Sequence, residues 1–168
     1  ASGLAYLHAR QPHPMLHHDL KSANLLLFST QGRLWPTAKL ADFGLATGIS
    51  RTTLGERSST RVGGGTVTYK APEAFDGRYT AASDVYSFAV VLWELLTGER
   101  PWQQDANGNA YTEVQITMAV AVRGERPPLP ALDSTHASSA LADLVQLAWA
   151  HEPGDRPSAE QMRLQLRR

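Results

Sequence analysis

The sequence predicts a mainly α-helical domain with one small β-hairpin. Two observations lead there. The stretch from Asp84 to Leu96 is apolar on nearly every helical face, which places a helix in a core, and Ser138 to Ala150 carries a helical stripe at Leu141, Leu144, Val145 and Ala148. Near the start, two short runs, Leu25 to Phe28 and Ala38 to Ala41, read as strands separated by a turn-like segment. A length of 168 residues suits one compact domain, with roughly 70% of the unfolded surface removed from water on folding. An apolar share of 42% is enough for a core and argues against global disorder.

Taken in order, Leu4, Ala5, Leu7 and His8 have helical spacing, and Pro12 and Pro14 bound that helix. The chain begins as if in the middle of a helix, without a Met, a basic start or a signal-peptide core, so it is expected to start inside a larger domain. Leu25-Leu26-Leu27-Phe28 is continuous and apolar and is expected to be a buried strand. Residues 44–70 are rich in Gly, Ser and Thr and form a long loop, the kind of segment that carries function. The central helix ends at Gly98. A polar loop covers Gln103 to Asn109, a further helix covers Glu113 to Val122, and a last short helix opens around Pro157.

Several function classes are excluded or disfavoured. Lys plus Arg equals Asp plus Glu at 16 each, so nothing draws the chain generally to nucleic acid or to a membrane surface. The longest apolar run, Phe88 to Trp93, is far below the roughly 18 residues of a membrane span. Without cysteine there is no disulfide framework or thiolate metal site, which is compatible with a cytoplasmic location. His8, His13, His17, His18 and Asp19 raise the idea of zinc, but no pair has the helical i, i+4 spacing that aims two imidazoles at one ion. Gly63-Gly64-Gly65 could cradle a phosphate through backbone amides, but no phosphate-gripping Lys accompanies it, so a plain flexible loop is the better reading.

Three motifs carry the chemistry. They are His17-His18-Asp19-Leu20-Lys21-Ser22-Ala23-Asn24 before the first strand, Asp42-Phe43-Gly44 after the second, and Ala71-Pro72-Glu73. Singly each is weak: Asp19 could cap a turn, Lys21 could be a solvated charge, and Asp-Phe-Gly could be an ordinary turn. Together, in this order and at this spacing, they resemble the signature set of protein kinases. The match continues through Ser83-Asp84-Val85-Tyr86-Ser87-Phe88 to Leu95-Leu96-Thr97-Gly98, and again at Asp155-Arg156-Pro157. The whole chain, 1–168, resembles a partial kinase domain: the C-terminal lobe, from before the catalytic loop to the last helix. It is most similar to serine/threonine kinases of the tyrosine-kinase-like group.

The resemblance implies a site. Catalysis there is mostly positioning and charge neutralisation around the γ-phosphate of ATP. Asp19 would accept or orient the proton of a protein substrate's hydroxyl, and Lys21 would point at the moving phosphate. Asn24 and Asp42 would hold Mg2+ through hard oxygen ligands. Leu26 would support the adenine, and Phe43 would pack beneath the site on His17. The Thr66 hydroxyl would contact Asp19, Glu73 and Arg156 would form a buried ion pair, and Asp84 would fasten the catalytic loop to the central helix. Lys21 favours Ser/Thr over Tyr as acceptor.

Three departures qualify this. There is no G-x-G-x-x-G, and the only lysines are Lys21, Lys39 and Lys70, none placed to grip ATP. The small lobe is therefore expected to lie outside this chain, and the chain alone is expected to bind ATP weakly and transfer little. A non-catalytic, pseudokinase-like interaction module is the alternative. His18 stands where most kinases have Arg, which puts control by loop phosphorylation at Thr47, Ser50, Thr52, Thr53, Ser58, Ser59 or Thr60 in doubt. Phe28 to Thr37 is longer than in most relatives and is expected to be a surface insertion.

Overall fold

A computed structural model describes residues 1–29, 32, 34–48, 66–105, 107–130 and 136–167. The elements are α1 (Ser2–His8), β1 (Met15–Leu16), β2 (Leu25–Phe28), β3 (Thr37–Leu40), β4 (Thr47–Gly48), α2 (Ala81–Thr97), α3 (Glu113–Thr117), α4 (His136–Ala148) and α5 (Ala159–Gln165). Short 3₁₀ turns at Ser22–Asn24, Val67–Tyr69, Pro72–Asp76 and Pro153–Asp155 join them.

Helix α2 organises the rest. Val85, Tyr86 and every residue from Phe88 to Trp93 are buried, so the chain around it closes on all sides of its middle turns. They share one core with Leu4 of α1, Leu20, Val145 and Ala148 of α4, and Met162 of α5. Helix α4 packs along α2, and α5 packs against α1. The expectation of apolar burial on every face stops at Trp93: Leu95 is 74% exposed, because the last turn of α2 emerges from the core. Gly98 then ends the helix with φ +71°, a left-handed conformation that a side chain resists, and its N–H bonds to the Glu94 carbonyl. Trp93 is too large to bury without a partner for its indole N–H, which donates to the Pro128 carbonyl at 2.9 Å.

The hairpin forms as expected, but its burial does not. Strands β2 and β3 pair antiparallel, with Leu25 opposite Leu40 and Phe28 opposite Thr37. Leu26, Leu27 and Phe28 are all exposed, Leu27 by 69%. An apolar run does not say what covers it, and no described element lies over this one. A second two-stranded sheet, β1 with β4, was not expected; at two residues per strand it has no pattern to read.

Smaller differences have local causes. The predicted helix after Glu113 begins as α3, capped by Thr112, and runs into a π-helical turn over Met118–Val122. In α5 the N-cap is Ser158, which accepts the Gln161 N–H, so Pro157 sits just outside the helix. Leu34 and Trp35 are strongly exposed, as a surface insertion requires. Ser50, Thr52, Thr53, Ser58, Ser59, Thr60 and the glycine run 63–65 lie outside the described residues. Among the described residues no helix is long and apolar enough to cross a membrane.

Candidate active site

The site begins with one buried carboxylate on α2. Asp84 accepts the backbone N–H groups of His17 at 2.8 Å and His18 at 3.0 Å, and bonds His8 Nε2 at 2.9 Å. These bonds fasten the loop before Asp19 to the most buried helix of the fold. His18 takes φ +67°, which turns the chain so that Asp19 follows in a fixed direction. Asp84→Ala leaves the buried His17 N–H without an acceptor, and a loss of ~1–3 kcal/mol is expected in denaturant unfolding. An unchanged midpoint and slope would show that the loop holds itself.

Asp19 is then gripped from several sides. Its Oδ2 accepts Lys21 Nζ at 2.7 Å and Asn24 Nδ2 at 3.3 Å. Its Oδ1 accepts the Thr66 N–H at 3.0 Å and the Thr66 hydroxyl at 3.2 Å. Lys21 Nζ also donates to Thr66 Oγ1 at 2.9 Å. Burial alone would push the Asp19 carboxyl up, but the Lys21 and Thr66 donors outweigh it and hold the group below its ordinary value. Asp19 is therefore ionised at neutral pH. An ammonium has three N–H donors, and two are used here. Among the described residues the third has no partner and is open to an incoming anion.

The hairpin register brings Asn24 beside the segment that carries Asp42. The Ala41 N–H donates to the Asn24 carbonyl at 2.9 Å, one step beyond the Leu25–Leu40 pair, so Asp42 follows two residues after β3 ends. Asp42 has φ +60°, and its Oδ1 accepts the Gly44 N–H at 3.3 Å. A Cβ on Gly44 would sit 3.1 Å from that oxygen, which explains a glycine at this turn. Asn24 uses its amide nitrogen on Asp19 (carbonyl at 2.8 Å), leaving its Oδ1 as a hard acceptor. An amide oxygen and a carboxylate on the segments flanking the open end of the hairpin are the donor types that Mg2+ takes, so these residues fit the ion. Leu26, the proposed adenine support, lies on β2 and is half-exposed.

The histidines do other work. His17 is fully buried; its Nε2 lies 3.0 Å from the Ala41 carbonyl, and its ring lies 5.3 Å from that of Phe43. No group of three or more His, Asp or Glu among the described residues could hold a metal ion, so zinc finds no support. The His18 ring rests 4.6 Å from Tyr79, and burial lowers its pKa, against the pull of Asp84, so it is mostly neutral near pH 7.

The sequence model of the protein kinase domain matches residues 1–165. The chain belongs to the protein kinase family. It is 38% identical over 161 residues to mitogen-activated protein kinase kinase kinase 7 of Drosophila melanogaster, covering 95% of this chain and 21% of that protein. It is 40% identical over 162 residues to receptor-interacting serine/threonine-protein kinase 3 of Rattus norvegicus, covering 93% of this chain and 31% of that one. It is 36% identical over 160 residues to a seven transmembrane domain-containing tyrosine-protein kinase of Dictyostelium discoideum, covering 94% and 20% respectively. The first two relatives are of the tyrosine-kinase-like type that the motifs resemble. The chain spans about a fifth to a third of the length of these curated relatives.

Two parts of this kinase site were not foreseen. His8 bonds the same carboxylate as the catalytic loop, and its place at the end of α1 gave no signal of that. Tyr69 donates to Glu94 Oε1 at 2.8 Å and lies 3.2 Å from Ser22 Oγ, tying the segment after Thr66 to both the catalytic loop and α2. A Tyr between Thr66 and Ala-Pro-Glu was the only hint.

Proposed function

We propose that this chain is the catalytic-loop part of a serine/threonine protein kinase that moves the γ-phosphate of ATP to hydroxyls of protein substrates. The observation that carries this is the Asp19 cluster: an ionised carboxylate held by Lys21, Thr66 and Asn24, with one ammonium proton unpaired among the described residues. A Ser or Thr hydroxyl placed at Asp19 is oriented by the carboxylate, which takes its proton as the new oxygen–phosphorus bond forms. The bond to the bridging oxygen of ADP breaks as it does so. Lys21 meets the charge on the moving phosphoryl group, and its bond to Thr66 keeps it level with Asp19. Asn24 and Asp42 would hold Mg2+, which when bound would neutralise phosphate charge.

A small lobe supplied by the parent protein covers the exposed strand and completes the nucleotide site in this reading. The apolar side chains of Leu26, Leu27, Phe28 and Phe43 that face solvent support it. A cytoplasmic site of action, where ATP and Mg2+ are plentiful, belongs to the same proposal.

The test is phosphate transfer by the full-length protein with Mg-ATP and a mixed pool of Ser, Thr and Tyr peptides. Phosphoserine and phosphothreonine are expected, with phosphotyrosine far behind. ATP bound but never transferred, in preparations that are folded by thermal melt, would favour the non-catalytic module instead.

A further inference from the structure

The β2–β3 hairpin ends in two large apolar side chains that the fold does not use. Leu34 is 94% exposed and Trp35 80%, more than any other large hydrophobic residue described. The other tryptophans, Trp93, Trp102 and Trp149, are buried or half-buried in the core. The strands pair from Leu25–Leu40 at one end to Phe28–Thr37 at the other. The tip therefore lies beyond the far end of the hairpin, about 10 Å of strand from Asn24 and Asp42. A contact made there leaves the catalytic loop open.

The charge around the tip is positive. The whole chain has 16 charges of each sign, but residues 1–41 hold Arg10, Lys21, Arg33 and Lys39 against one acid, Asp19. Asp19 is itself engaged by Lys21 and Thr66, and between it and Asp42 there is no acid at all. Lys39 reaches along the hairpin and lays its Nζ 4.7 Å from the centroid of the Phe28 ring, at the tip end. Among the described residues no carboxylate pairs with it.

Size decides the kind of partner. A stable protein interface takes about 800 Å² from each side. Two side chains at a hairpin tip supply at most a few hundred, even with roughly 150–250 Å² from the indole. Leu26, Leu27 and Phe28 do not add to this, because the small lobe covers them in the reading above. A lipid surface asks for less: apolar side chains at the acyl boundary, an indole N–H at the headgroups and a cation facing lipid phosphate or carboxylate. Leu34, Trp35 and Lys39 supply these, and Arg33 adjoins them in sequence.

We propose that this tip docks the domain on an anionic membrane surface, with Leu34 and Trp35 entering the interface and Lys39 meeting the headgroups. One short apolar tip with so few cations makes a weak, reversible contact, which orients the domain and does not anchor it. The proposal goes beyond the kinase reading and does not depend on it.

The experiment is cosedimentation of the full-length protein with vesicles of phosphatidylcholine alone, or with about a third phosphatidylserine. Binding is expected to be several-fold stronger with phosphatidylserine and to weaken as salt is added. Trp35→Ala and Leu34→Ala are each expected to lower the partition coefficient about tenfold. Lys39→Gln should lower it about fivefold, and Trp35→Phe, which keeps an apolar ring, should retain most of the binding. Leu34 and Trp35 touch little of the fold, so the melting curves of their variants should match wild type. Tryptophan emission gives a second reading. The difference between wild type and Trp35→Phe should shift to the blue on phosphatidylserine vesicles, as an indole leaves water. Equal binding by wild type and Trp35→Ala, equal binding to both vesicle types, or an unshifted difference spectrum overturns the proposal. Vesicle binding that survives in Trp35→Ala while an oligomer falls apart in sedimentation also overturns it, and would make the tip a contact between copies of this chain.

Discussion

Asp19→Asn in the full-length protein is expected to slow phosphoryl transfer by about 10²–10⁴-fold, in kcat rather than in the KM for ATP. The replacement is nearly isosteric and keeps an oxygen for the Thr66 N–H and hydroxyl, which now bond Oδ1 at 3.0 and 3.2 Å. What it removes is the basic oxygen that, in the proposed mechanism, orients and deprotonates the substrate hydroxyl. It also presents an N–H₂ where Lys21 Nζ donates at 2.7 Å. Two donors cannot share that contact, so the ammonium must leave its place between Asp19 and Thr66, and the phosphoryl group loses its positioned charge as well. In the proposed site Asn24, Asp42 and Leu26 still meet the nucleotide, so its binding should largely persist. Measured kcat and KM for ATP, with a melting curve to establish folding, check this. A variant that transfers at close to the wild-type rate would remove Asp19 from the reaction.

The site was legible in sequence because its residues are clustered in the chain. Asp19, Lys21 and Asn24 lie within six residues, and Asp42 is joined to them by a hairpin whose strands were read from one apolar run and one alternating run. The central helix was legible because burial on all sides leaves its mark at every position from Phe88 to Trp93. Two contacts between distant residues left no such mark. His8 meets Asp84 across 76 positions, and Tyr69 meets Glu94 across 25, and neither pairing has a period or a spacing to betray it. Exposure was misread at Leu26 and Leu27 for a related reason. Apolar composition says that a surface seeks cover, not that the cover is part of the same chain. The backbone φ values of His18 and Asp42, which aim the catalytic groups, are visible only in the fold.

Arg156→Ala is expected to destabilise the domain by roughly 3–5 kcal/mol, about a fifth or more of the 5–15 kcal/mol typical of a folded protein. The guanidinium donates to Glu73 Oε1 at 2.8 Å and Oε2 at 2.9 Å, and to the carbonyls of Ala82, Ala150 and His151. It also lies over the buried Tyr86 ring at 5.1 Å. Its loss strands a buried carboxylate whose one remaining side-chain donor among the described residues is the Ser83 hydroxyl, and it frees three carbonyls on two segments. Removing both charges, as in Glu73→Gln with Arg156→Met, should recover part of the loss, because no buried charge is left alone. Recovery stays partial because the three carbonyls still lack their donor. The pair also sets an acid limit. Burial by itself would raise the Glu73 carboxyl, but the bonds from Arg156 and Ser83 prevail and hold it below its ordinary 4.5. A depressed carboxyl stabilises the fold above its ordinary value and loses that contribution as pH falls through the lower folded one. Wild-type stability should therefore change little from this group near neutrality and fall below about pH 4.5. In Arg156→Ala nothing outweighs burial, Glu73 protonates more readily, and the gap from wild type should narrow as the solution is acidified. Denaturant unfolding at pH 7 and pH 4 measures both effects, and a gap that is small at pH 7 or widens in acid would mean that Glu73 does not depend on Arg156.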